Sequence, residues 1–276
     1  MKYIDLAASI KESNSEFLKK LPGFLVRWIE KIIKQDEMNF IFDKYKNCEG
    51  ADFHRSLIKE FNLTLEIVGL ENLPEHQKCF FFANHPFGII DGICLTKTVL
   101  EKYGTFKVIV NESFSYVPNL RPYITLVNPF GMSSKAYVTE LEKVFQSDVA
   151  IAHFPAGEVS RRYHGKIQDC AWQKSFITRA VSSQRDIVPF YFHGRNSNLF
   201  YGINLVRRAL GIKTNIEMVL LPREMFLKRN QTIRFVIGKP ISWRKFDRSL
   251  TPFQWAQKVR EHVYKLSSVS GDFVVL

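Results

Sequence analysis

The 276-residue sequence predicts an α/β fold, in which helices cover the faces of a mixed, mostly parallel sheet. Short apolar runs rich in β-branched and aromatic residues recur after residue 60. These runs are apolar almost throughout, which is typical of strands buried on both faces. Helical patterns separate several of them, and no internal repeat or low-complexity segment interrupts the order.

The first 60 residues are expected to form a helical segment ahead of an α/β domain that spans residues 61–276. Within residues 15–34 an apolar stripe at helical spacing is made by Phe17, Leu18, Leu21, Leu25, Trp28, Ile29, Ile32 and Ile33. Cations occupy much of the remaining surface, and Pro22-Gly23 is expected to break or restart the helix. Such a helix packs on the core, binds a partner helix, or lies in a membrane interface with its cations among the headgroups.

The α/β domain is expected to alternate strands and helices. The apolar runs predict strands at 64–69, 78–83, 106–110, 123–127, 149–154, 186–192, 216–221 and 232–238. Helical patterns occupy 92–103, 134–147, 169–184 and 252–267. The basic stretch 195–213 mixes arginines with apolar residues, so it is either a helix over the core or a second membrane-facing or acyl-entry element.

The composition indicates a packed protein with an anionic partner. Hydrophobic residues make up 46% of the chain and the formal net charge is +12. That charge suits nucleic acid, an anionic membrane surface, or an acidic carrier or substrate. The four cysteines are widely separated and are expected to be reduced thiols. No stretch of about 18 uncharged apolar residues is present, so no transmembrane helix is expected.

The first candidate motif is NHPFGIIDG, residues 84–92, which directly follows the apolar run CFFFA. His85 and Asp91 are six positions apart and would diverge on a regular helix. Pro86 and Gly88 favour a loop that folds Asp91 back beneath His85. Asp91 then accepts a hydrogen bond from one ring nitrogen and leaves the other as a base. The alternative is a polar turn with an unrelated histidine.

The second candidate motif, FPAGEVSR at residues 154–161, also follows an apolar run. Gly157 permits close approach of the backbone to a ligand. Glu158 and Arg161 either present opposite charges to that ligand or form a salt-bridged surface turn.

The third candidate motif is IVPFYFHGRNS, residues 187–197. Here Pro189 is expected to end a strand and lead into His193 and Arg195. Because ligands of open α/β sheets gather beyond the carboxyl ends of the strands, the three loops are expected to share one cleft. His153, His164 and His193 are either side chains of that cleft or ordinary core and surface histidines.

The three motifs, with LPREMFLKRNQTIRFVIGKPIS at 221–242, resemble in order and spacing the successive blocks of the lysophospholipid (glycerolipid) acyltransferase superfamily. The resemblance is closest to its hemolysin-like and lyso-ornithine-lipid O-acyltransferase branch. It runs from about Leu65 to about Ile241 and leaves the first 60 and last 30 residues uncovered. It implies the helix-covered sheet of that superfamily and a bacterial enzyme of lipid biosynthesis.

The resemblance also implies acyl transfer catalysed by a His/Asp pair, without a cofactor or a metal. His85 would deprotonate the hydroxyl of a lysolipid, which attacks the thioester of acyl-carrier protein or acyl-CoA. Asp91 would orient His85 and stabilise its imidazolium. Backbone amides in the Gly157 or Gly88 turns would stabilise the oxyanion. The implied substrate-binding residues are Asn84, Gly88, Asn128, Gly157, Glu158, Ser160, Arg161, Pro189 and Arg195.

Departures from the superfamily pattern bear on the acceptor. The spacing here is His-x5-Asp, as in the hemolysin-like branch, and the common FPEG has become FPAG. Where members that use a phosphate acceptor carry an arginine after strand YITLV, this chain has Asn128-Pro129-Phe130-Gly131. We therefore expect a lyso-aminolipid of the ornithine or glycine type. The alternative is a 1-acyl-glycerol-3-phosphate acyltransferase in which Lys135, Arg121 or Arg195 replaces that arginine.

Other classes of protein account for fewer of these features. A serine hydrolase would need a G-x-S-x-G elbow, and a metalloprotease an H-E-x-x-H motif; the sequence has neither. A non-catalytic basic protein that binds membranes or nucleic acid would explain the charge but not three polar loops after strands. We expect no nucleic-acid partner and a peripheral location on the cytoplasmic face of the plasma (inner) membrane.

Overall fold

The computed structural model describes residues 3–12, 19–110, 117–126, 135–269, 271 and 273–275. Within these residues an eight-stranded sheet has the order β10-β1-β9-β8-β2-β5-β3-β4, and β6 and β7 form a separate hairpin. The strands are β1 Thr64–Val68, β2 Cys79–Ala83, β3 Lys107–Val110, β4 Ile124–Leu126, β5 Ile151–His153, β6 Arg161–Tyr163, β7 Lys166–Gln168, β8 Asp186–His193, β9 Thr232–Ile237 and β10 Val274–Val275.

The sheet is mixed and mostly parallel, as predicted. Parallel pairing joins β1 to β9, β8 to β2, β2 to β5, β5 to β3 and β3 to β4. Within the eight-stranded sheet, only the pairs β8 with β9 and β1 with β10 are antiparallel among the described strands. Strand β2 therefore lies between two parallel neighbours, and its carboxyl end opens at the same edge of the sheet as those of β5 and β8.

Helices cover both faces of this sheet. They are α1 Leu6–Glu12, α2 Gly23–Ile32, α3 Gln35–Lys44, α4 Gly50–Glu60, α5 Ile89–Tyr103, α6 Lys135–Gln146, α7 Ser175–Ser182, α8 Asn198–Ala209, α9 Leu221–Phe226 and α10 Pro252–Lys265. On β2, Phe81 packs into the cluster that contains α4 and α5, whereas Phe80 and Phe82 pack against α7 and α10. Two buried faces explain why β2 is apolar at every position.

One predicted strand is wrong. The run at 216–221 forms a 3₁₀ helix, Ile216–Leu220, that continues directly into α9. A short apolar run does not distinguish a strand from a buried helical segment. Here Glu217 is fully buried and paired with two arginines, so the segment is fixed by an ion cluster and not by sheet pairing.

The predicted N-terminal helix is described only in part, because residues 13–18 lie outside the described range. Helix α2 begins after Pro22 and leaves Phe24 68% and Trp28 59% exposed. Helices α3 and α4 bury Met38, Ile41, Phe42, Phe53 and Leu57 in the same cluster as the sheet. The boundary at residues 60 and 61 between two domains stays a prediction. Across the described residues, no helix combines the length and apolarity that a membrane crossing requires.

Candidate active site

The NHPFGIIDG motif forms a tight turn between β2 and α5. Gly88 directly precedes α5 and has φ of +92°, a backbone conformation that a β-carbon disfavours. A β-carbon there would also lie 2.9 Å from Leu221 and 3.0 Å from Val159. The turn therefore requires glycine, and it brings Asp91, in the first turn of α5, back beneath His85.

Asp91 is fully buried, and backbone amides hold its carboxylate. Its Oδ2 accepts hydrogen bonds from the amides of Phe87 at 3.0 Å and Gly88 at 3.3 Å, and its Oδ1 accepts one from Gly92 at 3.1 Å. The N-terminus of α5 adds a favourable dipole. These groups keep the carboxylate oriented without an adjacent lysine or arginine among the described residues.

The imidazole of His85 lies against this carboxylate. Its Nδ1 is 3.1 Å from Oδ2 of Asp91, and its ring stacks on Phe154 with centroids 3.9 Å apart. The ring Nδ1–H direction does not point at the oxygen, so the contact is close but not an aligned hydrogen bond. Catalytic hydrogen bonds are often loose without substrate and shorten in the complex. Nδ1 is buried while the side chain is 15% exposed, so other ring atoms face the cleft.

A second buried carboxylate, Asp169, fixes the backbone of His85. The His85 amide donates to Oδ1 of Asp169 at 3.2 Å, and the Ser160 amide donates to the His85 carbonyl at 2.8 Å. Asp169 also accepts from the Ser160 hydroxyl at 2.5 Å and from the Trp172 indole at 2.9 Å. Burial raises the pKa of Asp169, and these donors oppose that rise. Sequence reasoning missed this residue because it lies 84 positions from His85.

The charged residues of the FPAGEVSR motif make contacts that differ from those predicted. Arg161 is buried, ion-paired to Glu217 at 3.0 Å, and donates to the Val159 carbonyl, so it faces the core and not a ligand. Glu158 is half-buried and accepts from the hydroxyl of Tyr163 at 2.8 Å. The prediction that Arg161 presents its charge to a ligand is wrong, because that charge is buried against Glu217. A ligand-binding role of Glu158 stays a prediction.

The two glycines proposed near the oxyanion have amides with partners of their own. The Gly157 amide donates to the Phe154 carbonyl at 3.0 Å, and the Gly88 amide donates to Asp91. Gly157 itself is exposed, has φ of +69°, and has open space around the β-carbon position. Gly157 leaves room for a ligand, and an oxyanion role of the two glycine turns stays a prediction.

The remaining predicted binding residues separate into three groups. The side chain of Asn84 forms two hydrogen bonds with the backbone of Phe192. Its Nδ2 donates to the Phe192 carbonyl at 2.9 Å and its Oδ1 accepts from the Phe192 amide at 2.7 Å, so Asn84 joins the end of β2 to β8. Pro189 lies inside β8 opposite Phe82 and is buried, because the strand continues to His193; the predicted Pro189 loop is wrong. Arg195 is exposed at the carboxyl end of β8 and stacks on Tyr201. Asn128 lies outside the described residues.

Two of the three candidate histidines are near the carboxyl ends of strands. His153 ends β5 beside His85, and burial lowers its pKa to about 4, so it is neutral at pH 7. Burial also lowers the pKa of His193 at the end of β8. His164 is exposed at the tip of the hairpin β6–β7, away from the sheet. Among the described residues, no His, Cys, Asp and Glu side chains converge as three or more potential metal ligands.

Gly194 is predicted to control the shape of the His85 turn. A β-carbon at Gly194 would lie 2.0 Å from the ring of Phe87, whose amide holds Asp91. Gly194→Ala is therefore expected to lower turnover by about tenfold to a hundredfold, because the turn must shift. Gly165→Ala is the control, since Gly165 also has positive φ but open space around it. Steady-state kinetics with thermal melts test this; equal kinetics for both variants would contradict it.

Comparisons with known proteins identify the family of this chain. An acyltransferase family model matches residues 9–270. A lyso-glycine lipid O-acyltransferase of Phocaeicola vulgatus is 40% identical over 264 residues, which cover 95% of each chain. A lyso-glycine lipid O-acyltransferase of Bacteroides thetaiotaomicron is 39% identical over 264 residues, covering 95% of this chain and 97% of the relative.

A solved structure is also similar. It is the crystal structure of the 1-acyl-sn-glycerophosphate acyltransferase PlsC from Thermotoga maritima, with 15% identity, a TM-score of 0.47, and coverage of 97% of this chain and 89% of that one. That likeness is too low to add to the argument. The family match and the two relatives span nearly the whole chain, including the His85 turn. The chain belongs to the acyltransferase family and is an acyltransferase.

Proposed function

We propose that this enzyme transfers a fatty acyl group from a thioester, acyl-carrier protein or acyl-CoA, to the hydroxyl of a lyso-aminolipid of the glycine type. The observation that carries the mechanism is the approach of Nδ1 of His85 to Oδ2 of Asp91 at 3.1 Å, at the carboxyl end of a central strand. The names of the two relatives support the choice of acceptor.

The proposed reaction needs one base and no covalent enzyme intermediate. His85 takes the proton of the acceptor hydroxyl as its oxygen forms a bond to the thioester carbonyl carbon. The tetrahedral intermediate collapses, the carbon–sulfur bond breaks, and the imidazolium returns its proton to the departing thiolate. The products are an ester and a free thiol, so protons and electrons balance.

Asp91 makes this base effective. Imidazolium develops beside a carboxylate that three backbone amides already hold in place, so little reorganisation is needed during the reaction. Asp169 and Ser160 bind the amide and the carbonyl of His85 itself, which fixes the ring's point of attachment. The base is thus oriented through its ring and through its backbone.

The acceptor is tested with the purified enzyme. We expect lyso-glycine lipid to be acylated faster than lyso-ornithine lipid or lysophosphatidic acid, with acyl-carrier protein and acyl-CoA offered separately as donors. Thiol release measures the rate, and mass spectrometry identifies the ester. Equal or faster acylation of lysophosphatidic acid would favour the 1-acyl-glycerol-3-phosphate alternative and leave acyl transfer itself intact.

We further propose that the enzyme binds peripherally to the cytoplasmic face of the bacterial plasma membrane through α2 and α8. Phe24 and Trp28 of α2 and Leu205 and Val206 of α8 are exposed large apolar side chains, which are costly in water. Ile32 at the end of α2 packs on the cluster that includes the buried face of α8, so the two helices are neighbours. Arg27 and Lys31, exposed on α2, complement anionic headgroups.

Vesicle binding is expected to depend on this apolar surface. Phe24→Ser with Trp28→Ser should weaken binding to anionic vesicles several-fold, because two interfacial side chains no longer enter the headgroup region. Phe253→Ser is the matched control, since Phe253 is 48% exposed on α10. Co-sedimentation at increasing salt measures binding. Undiminished binding of a folded double variant would contradict a role for α2 as an anchor.

A further inference from the structure

A basic cleft lies between the hairpin β6–β7 and α8. It encloses about 410 Å³ and is lined by Arg162 of the hairpin and, on α8, by Tyr201, Asn204 and Arg208. The guanidinium of Arg208 lies 5.4 Å from the ring centroid of Tyr163. Within the described part of the chain, neither Arg162 nor Arg208 pairs with a carboxylate. The cleft therefore presents two uncompensated cations.

The arginines next to Arg162 and Arg208 in sequence do have a carboxylate partner. Arg161 and Arg207 turn inward and share the buried Glu217, at 3.0 and 2.9 Å. That ion cluster joins the hairpin to α8 and leaves the next residue of each element, Arg162 and Arg208, on the cleft side. Structural arginines in this region have an acidic partner. The outer pair, Arg162 and Arg208, is exposed and has no carboxylate partner among the described residues.

The hairpin connects this cleft to the base. Ser160 directly before β6 donates to the His85 carbonyl, and Asp169 directly after β7 accepts from the His85 amide. Arg162 is two residues beyond Ser160, roughly 7 Å along an extended strand. The hairpin that carries Arg162 is therefore the same element that holds the backbone of His85.

We propose that Arg162 and Arg208 bind the carboxylate of the acceptor lipid, an inference that rests on the proposed function. An amino acid linked to lipid through its nitrogen keeps its carboxylate, a few bonds from the chain that carries the acceptor hydroxyl. Guanidinium groups match a carboxylate with two parallel hydrogen bonds. The cleft thus selects an anionic headgroup and sets its hydroxyl at His85.

The test compares an acceptor with and without its charge. Arg162→Gln and Arg208→Gln are each expected to raise KM for lyso-glycine lipid by about 10–100-fold, the range for loss of a charged hydrogen bond, with little change in kcat. The methyl ester of the same lipid should bind poorly to every form, and its KM should be insensitive to both changes. Arg248→Gln is the control, because Arg248 is exposed in a different loop.

Three outcomes would overturn the proposal. Unchanged kinetics in both variants would show that the cleft does not bind the acceptor. An increase in the KM of acyl-carrier protein or acyl-CoA, equal for acid and ester acceptors, would assign the cleft to a phosphate of the donor. A wild-type enzyme that acylates no lyso-aminolipid would overturn the proposed function as well, whereas the first two outcomes would leave that function standing.

Discussion

Replacing His85 by alanine is expected to lower kcat by about 10²–10⁴, the usual contribution of a general base. The imidazole is the side chain that the fold sets against the buried Asp91, with its Nδ1 at 3.1 Å from the carboxylate. Without it the acceptor hydroxyl must lose its proton to water. KM for the acceptor should change little, because the base acts on the transition state more than on binding.

The His85→Ala protein is expected to remain folded, since the side chain is partly exposed at a loop and makes no aligned hydrogen bond. Thermal melts monitor this, and thiol release from the acyl thioester gives the rate. His262→Ala is the control, because His262 is exposed on α10. Near-normal turnover in a well-folded His85→Ala enzyme would remove His85 as the base.

The parts of the site that are local in sequence could be predicted. Pro86 and Gly88 require a turn after β2, and a turn of this length returns Asp91 to His85, so the pair follows from nine consecutive residues. The α/β sheet could be predicted for a similar reason. A strand covered on both faces is apolar throughout, and β2 is buried at every position.

The parts that depend on distant partners could not be predicted. Asp169 reaches His85 across 84 positions, and Arg161 meets Glu217 across 56. An arginine that follows a glycine turn can bind a ligand or pair with a buried carboxylate. The sequence alone does not show which of these two partners lies beside it in the fold. The same ambiguity produced the wrong strand at 216–221, where Glu217 is buried with its arginines.

Asp91→Asn is expected to lower turnover nearly as much as the loss of His85. Asparagine keeps the size of the side chain but removes the charge that stabilises imidazolium; the equivalent change in a Ser-His-Asp triad costs about 10⁴ in kcat. Both carboxylate oxygens accept from backbone amides here. The new NH₂ group must therefore face either the Gly92 amide or those of Phe87 and Gly88. At least one backbone donor therefore loses its partner, which should destabilise the fold by about 1–3 kcal/mol.

The double variant His85→Ala/Asp91→Asn separates a catalytic role of Asp91 from a purely structural one. If Asp91 acts through His85, the second change adds little once the imidazole is gone, so the two losses do not multiply. Chemical denaturation should still report the destabilisation from Asp91→Asn in both backgrounds, because the amide contacts do not involve the imidazole. Rate losses that multiply in the double variant would mean that Asp91 only supports the turn, and that His85 works without an orienting carboxylate.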